Sequence, residues 1–118
     1  MTGVAYLDEI AGADDAPGAA RMVRVTFSPG ARTHWHSHPN GQILQVAAGV
    51  GRVQKSGEPI REIVAGDTVL IAAGEKHWHG AAPDHLMSHF AVQDAGPDGQ
   101  TTQWLEPVSD EDYGANVS

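Results

Sequence analysis

Cysteine is absent from the 118 residues. Disulfide bonds, zinc–thiolate centres and thiol nucleophiles are therefore excluded. Basic side chains are scarce: seven Lys and Arg stand against fifteen Asp and Glu, a formal net charge of −8. No nucleic-acid partner is expected, because affinity for a phosphate backbone depends on basic side chains that displace its counterions. Long apolar runs are missing too. None approaches the roughly eighteen residues that mark a membrane span, so no membrane partner is expected. The first twenty residues carry neither a basic head nor a long apolar stretch, which leaves the cytoplasm as the default expectation. No amphipathic helix of useful length shows in the pattern.

What is present is a succession of short alternating or apolar segments punctuated by fourteen glycines and seven prolines. Residues 22–27 alternate, with Val23, Val25 and Phe27 on one face. Strands are also read at 33–38, 42–48 (stopping at Gly49), 51–55, 60–64, 68–72, 77–81, 86–93 and 101–106. Turn signals at Ser28-Pro29-Gly30, Pro39-Asn40-Gly41, Ser56-Gly57-Glu58-Pro59, Ala65-Gly66-Asp67, Pro83-Asp84 and Gly96-Pro97-Asp98-Gly99 separate them. Ser109 is placed to cap a helical turn begun by Asp110, Glu111 and Asp112. Strands of this length, with turns every eight to twelve residues, imply an all-β sandwich or barrel. The chain is read as one domain, residues 1–118. Residues 1–21 form an N-terminal arm with a short strand near Tyr6, turned at Asp14-Asp15 and Pro17-Gly18. Residues 22–106 form the barrel and 107–118 a tail.

Five of the seven histidines fall in two short pieces: His34, His36 and His38 in the first, His77 and His79 in the second. Residues two apart on a strand share a face, so each piece aims its imidazoles together. Imidazole suits manganese, iron, nickel, zinc and copper alike. The rest of the chain reads as a frame that brings the two pieces together around a metal ion. Parity puts His34 on the same face as His36 and His38, where it is a fifth ligand, a base or a solvated residue at the barrel mouth. His79 shares its face with His77, as a proton-transfer group or a hydrogen-bonding support. His89 lines the pocket if Phe90 packs outside the barrel. His85, in a turn, should be exposed. Trp35 and Trp78 sit between histidines, hence point away and read as packing or interface residues. Arg32 and Lys76 read as rim charges.

The spacing Gly30, five residues, His36-Ser37-His38, three residues, Gln42, six residues, Gly49 resembles the first motif of the cupin superfamily, with glutamine where glutamate is usual. Gly66, five residues, Ala72-Ala73-Gly74, two residues, His77 resembles the second motif, without its proline and its final asparagine. The resemblance implies a small single-domain cupin, a β-barrel of jelly-roll type. More narrowly, Gly30-Ala31-Arg32-Thr33 with Trp35-His36 and His38-Pro39, and Gly74-Glu75-Lys76-His77-Trp78-His79-Gly80, are similar to bacterial manganese cupins that include hydroxynitrile lyases. That likeness implies His36, His38, Gln42 and His77 as metal ligands. It makes manganese the leading ion, with iron, nickel and zinc as alternatives.

A neutral glutamine leaves a divalent ion its full +2 charge, where glutamate would leave +1. One unit charge at about 4 Å is worth roughly 4 kcal/mol at an effective dielectric of about 20. Anionic leaving groups gain from this, which favours Lewis-acid chemistry over oxygen activation. The reading is a metal-dependent lyase on a small organic substrate, cyanohydrin cleavage or synthesis in particular, with His79, His89 or His34 as the proton-transfer group. The alternatives are another cupin enzyme, a dioxygenase, decarboxylase or isomerase, or a non-catalytic binding module. By resemblance the chain is expected to form homodimers or homotetramers.

Overall fold

A computed structural model describes residues 1–11, 20–94 and 102–114. Within them lie nine strands: β1 (Ala5–Ala11), β2 (Ala20–Phe27), β3 (His36–Ser37), β4 (Gln42–Lys55), β5 (Arg61–Val64), β6 (Thr68–Ile71), β7 (His77–Ala81), β8 (Met87–Asp94) and β9 (Gln103–Trp104). One helical turn, α1 (Asp110–Tyr113), follows them. The strands hydrogen-bond in the order β1-β2-β8-β4-β7-β3-β9, with β5 and β6 each paired to β4. Every pairing is antiparallel. The sheet curls on itself into a barrel, as the jelly-roll type implied by the motif resemblance requires.

Strand β4 is the hinge of this architecture. Its first half pairs with β6 and β8, through Gln42↔Ile71 and Leu44↔Ala91. Its second half pairs with β5 and β7, through Gly51↔Ile63 and Val53↔His79. The register shifts between Val46 and Ala48, and Gly49 takes φ +81°. Gly49 was expected to end one strand before another began at Gly51. Instead a single 14-residue strand runs through it and changes partners there. Only glycine serves at this corner, since a Cβ on residue 49 would stand 1.9 Å from the Leu86 carbonyl oxygen.

Two hydrophobic clusters hold the barrel. The larger joins Phe27, Leu44, Val46, Ile63 and Met87 inside the curl. The smaller packs Trp78, Ile60, Val108 and Tyr113 behind β7, with Trp35 against it. Alternation along β7 explains the division: His77 and His79 face inward, while Trp78 turns to the rear cluster and is fully buried. On β8 Met87, His89 and Ala91 are buried on one face, while on the other Phe90 is half-buried and Ser88 is buried against Arg24 and Thr26.

The N-terminal arm pairs with its own chain, β1 lying on β2 from Ala5↔Phe27 to Ala11↔Met22. The expected turns at 14–15, 17–18 and 96–99 fall outside the described residues. Of the strand expected at 33–38, only His36 and Ser37 are regular, because the chain bends at Trp35. There the backbone is held by bonds from Trp35 N to Glu106 O and from Leu105 N to Trp35 O. Ser109 caps α1 as expected, its hydroxyl accepting from Asp112 N at 3.0 Å.

Arg32 is not a rim charge. It is 5% exposed and its guanidinium donates to Val108 O at 3.0 Å and to Asp110 Oδ1 at 2.7 Å. Its Cζ lies 4.3 Å from the centre of the Tyr113 ring, and Tyr113 Oη donates to Ala81 O. The tail is thereby fastened to the back of β7. Lys76 does stay near the surface, paired with Glu106.

Candidate metal centre

Register brings the two histidine pieces together. β3 and β7 pair with His36 opposite His77, and the two rings lie 4.2 Å apart. His38 extends the group, its ring centre 5.0 Å from His36 and 5.3 Å from His77. Gln42 opens β4 beside them and places Oε1 3.3 Å from His77 Nε2. All four side chains are buried. His79 is equally close: among the described residues, His36, His77 and His79 each offer a ligand atom within 4.8 Å of the others'.

The hydrogen bonds decide which ring atoms are available. His36 Nδ1 donates to the His34 carbonyl at 2.8 Å, and His77 Nδ1 donates to the Glu75 carbonyl at 2.9 Å. Each carbonyl can only accept, so in the neutral rings Nε2 keeps a lone pair. His38 Nδ1 lies 3.3 Å from Thr102 Oγ1. Gln42 gives its amide N–H to Gln93 Oε1 at 2.7 Å, which leaves its carbonyl oxygen facing His77 Nε2. Two lone-pair atoms then face one another with no proton between them. A cation resolves that contact, and three imidazoles with a carboxamide oxygen are a donor set that fits a divalent first-row ion.

Burial and crowding keep His36 and His77 neutral. Desolvation first, then the neighbouring His77, lower the His36 pKa from 6.5 to about 3. Desolvation also lowers His77 to about 4, against the opposing bond to Glu75. His36 and His77 are therefore in their metal-accepting form throughout the neutral range.

Behind the donors sits a second histidine pair. His89 Nε2 and His79 Nδ1 are 3.0 Å apart and share a proton. Among the described residues, His79 Nε2 is buried with no hydrogen-bond partner. The Phe27 ring stands 5.8 Å from His79 and 5.6 Å from His89. Desolvation, reinforced by the adjacent His89, holds His79 well below 6.5, and burial lowers His89 to about 4. Thr33 Oγ1 accepts from the backbone N–H of His79 at 3.2 Å and anchors that part of β7.

A cavity of about 340 Å³ opens onto this group. His36, His38, Gln42, His79 and His89 line it, with Val23, Val25, Phe27 and Trp104 as apolar wall. His34 does not line it. The bend at Trp35 breaks the alternation that put His34 on the same face as His36, and its Nε2 instead meets the Met1 amine at 2.8 Å. His85 is exposed and paired with Asp84. The lining residues not singled out from the sequence as site residues include Gln93, Thr102 and Trp104, and Met1, Ala5 and Leu7 of the N-terminal arm. Gln93 carried a signal, since it shares a face with His89. Thr102 and Trp104 carried none, because β9 reaches the cavity only by pairing with β3 through His36↔Trp104.

The barrel and its buried histidine group define a class. A model of the cupin domain matches residues 23–90, and the chain belongs to the cupin family. It is 48% identical over 113 residues to a protein of Granulicella tundricola named (R)-mandelonitrile lyase, covering 96% of this chain and 85% of that one. The crystal structure of a cupin-like protein from Thermotoga maritima matches with a TM-score of 0.88 at 39% identity, over 95% of this chain and 84% of that one. A DMSP lyase from Ruegeria pomeroyi matches with a TM-score of 0.74 at 19% identity, over 90% of this chain and 54% of its own. At that identity the likeness is one of fold alone.

Proposed function

We propose that this protein is a metal-dependent lyase that cleaves aromatic cyanohydrins to an aldehyde and hydrogen cyanide, and joins them in reverse. The observation that supports it is one largely apolar cavity lined by His36, His38 and Gln42, with His77 packed behind them, and by a separate buried histidine pair, His79 and His89. The mandelonitrile lyase of Granulicella tundricola, alike over nearly the whole chain, supports the choice of substrate.

His36, His38, Gln42 and His77 would hold the ion, which we assign as manganese because the carboxamide oxygen suits a harder cation. Such an ion supplies Lewis-acid stabilisation of the negative charge that develops as cyanide leaves. The residues of the chain do the rest. Val23, Val25 and Phe27 pack against the aryl group and exclude water. His79 Nε2, free of other bonds, accepts the hydroxyl proton of the cyanohydrin. The oxygen lone pair becomes the second bond of the aldehyde carbonyl as the C–C bond breaks, and its electrons leave with cyanide. His89 stabilises the protonated His79 through their shared bond. The same proton then passes to cyanide, so hydrogen cyanide leaves and the histidine pair is restored. His34, outside the cavity, has no part in these steps.

The test is benzaldehyde release from mandelonitrile by manganese-loaded protein. Release well above a His77→Ala control is expected. Equal rates in the two would sink the proposal.

A further inference from the structure

We infer that Gln93 is a positioning residue that fixes which end of the Gln42 carboxamide faces the histidines. The inference rests on the reading of His36, His38, Gln42 and His77 as a metal centre. It concerns a residue on the opposite strand that supplies no ligand to it.

Gln93 lies on β8 on the face of His89 and Ala91, and it lines the same cavity. Strands β4 and β8 pair through Ile43↔Val92, so one step further Gln93 stands across from Gln42. The two carboxamides meet there, Gln42 Nε2 donating to Gln93 Oε1 at 2.7 Å. Gln42 is only 7% exposed, and its N–H is given to Gln93.

A carboxamide has two ends of nearly the same size, one a donor and one an acceptor. Facing His77 Nε2, which holds a lone pair, the end that satisfies the metal-free protein is the donor. An N–H directed at that nitrogen would make an ordinary hydrogen bond and turn the amide away from any cation. The observed orientation is the opposite one, with oxygen 3.3 Å from nitrogen. Among the described residues, the hydrogen bond to Gln93 is the contact that favours it. Gln93, by presenting its own carbonyl oxygen to that N–H, thus opposes a flip that would turn the Gln42 oxygen away from the histidines.

The test compares wild type with Gln93→Met, Gln93→Leu and Gln93→Glu, each also in a Gln42→Ala background. The readout is manganese affinity, followed by the loss of the free-ion paramagnetic resonance signal during titration. Methionine and leucine offer no comparable acceptor, and both should weaken binding by about 10- to 100-fold, the range for support residues of metal ligands. Glutamate keeps the acceptor and should bind at least as tightly as wild type. In the Gln42→Ala background, the Gln93 substitutions should add nothing, since the group they orient is gone. Unchanged affinity in a folded Gln93→Met or Gln93→Leu, or an equal loss in both backgrounds, would overturn the inference. A change in KM alone would also overturn it, by making Gln93 a substrate contact. Absence of manganese binding by wild type would instead remove the metal centre on which it rests, a failure visible before any variant is compared.

Discussion

His79 Nδ1 and His89 Nε2 stand 3.0 Å apart, buried side by side against Phe27. One proton serves both nitrogens, so a charge placed on His79 is felt at once by His89. Replacing His89 by glutamine should lower kcat by about 10²- to 10⁴-fold, the usual worth of a positioned proton-transfer system. Manganese affinity should stay close to wild type, because His89 is not one of the proposed ligands. Steady-state kinetics on mandelonitrile beside a metal titration checks both halves.

The charge of the centre can be changed at one position. Gln42→Glu replaces a proposed neutral ligand by an anion of the same size. Manganese should bind more tightly, and kcat for cyanide release should fall by roughly 10- to 1,000-fold. The upper limit corresponds to about 4 kcal/mol for one unit charge at about 4 Å. A glutamate variant as fast as wild type would show that the net charge of the site does not drive the reaction.

Acid should weaken the metal-free fold in a defined window. His36, His77 and His89 have pKa values lowered to about 3, 4 and 4 in the folded chain. In the unfolded chain they titrate near 6.5, so between these values the unfolded state binds more protons. Stability is then full above about pH 6.5 and is lost as the pH falls toward 4, by up to about 1.4 kcal/mol per group for each pH unit crossed. Urea midpoints in chelator at pH 7, 6 and 5 should decline, and saturating manganese should oppose the decline at pH 6. A flat profile from pH 7 to 5 would contradict the burial of these rings.

The corner of β4 makes a structural prediction. At Gly49 an added methyl group meets the Leu86 carbonyl oxygen at 1.9 Å, in backbone with φ +81°. At Gly57, φ is +85° but nothing lies within 4 Å. Gly57→Ala should cost only the local strain, about 1 kcal/mol, and Gly49→Ala at least about 2–3 kcal/mol. Chemical denaturation of the two variants compares them directly.

Much of this was legible in the residue order. Alternation grouped Val23 with Val25, His77 with His79, and His89 with Gln93 on shared faces, because strand parity is a local property of the backbone; the closed barrel turned those faces inward. The two glycine-framed histidine motifs pointed to the barrel because their spacing encodes strand and turn lengths. His34 shows where that reasoning stops. Parity holds only while the chain stays extended, and the bend at Trp35 is imposed by residues 105 and 106, far along the sequence. Arg32 was misplaced for the same reason, since its partners Val108 and Asp110 arrive from the tail.

The sequence by itself determined most of the strands, the shared faces of the paired histidines and the neutral glutamine among them, all consequences of local periodicity and side-chain chemistry. Tertiary structure alone decided that His89 reaches His79, that Trp104 borders the cavity and that Gln93 turns Gln42. Each of these depends on which strands become neighbours and in what register. That is settled by the closing of the barrel and by β4 changing partners at Gly49, and short segments read one at a time contain neither.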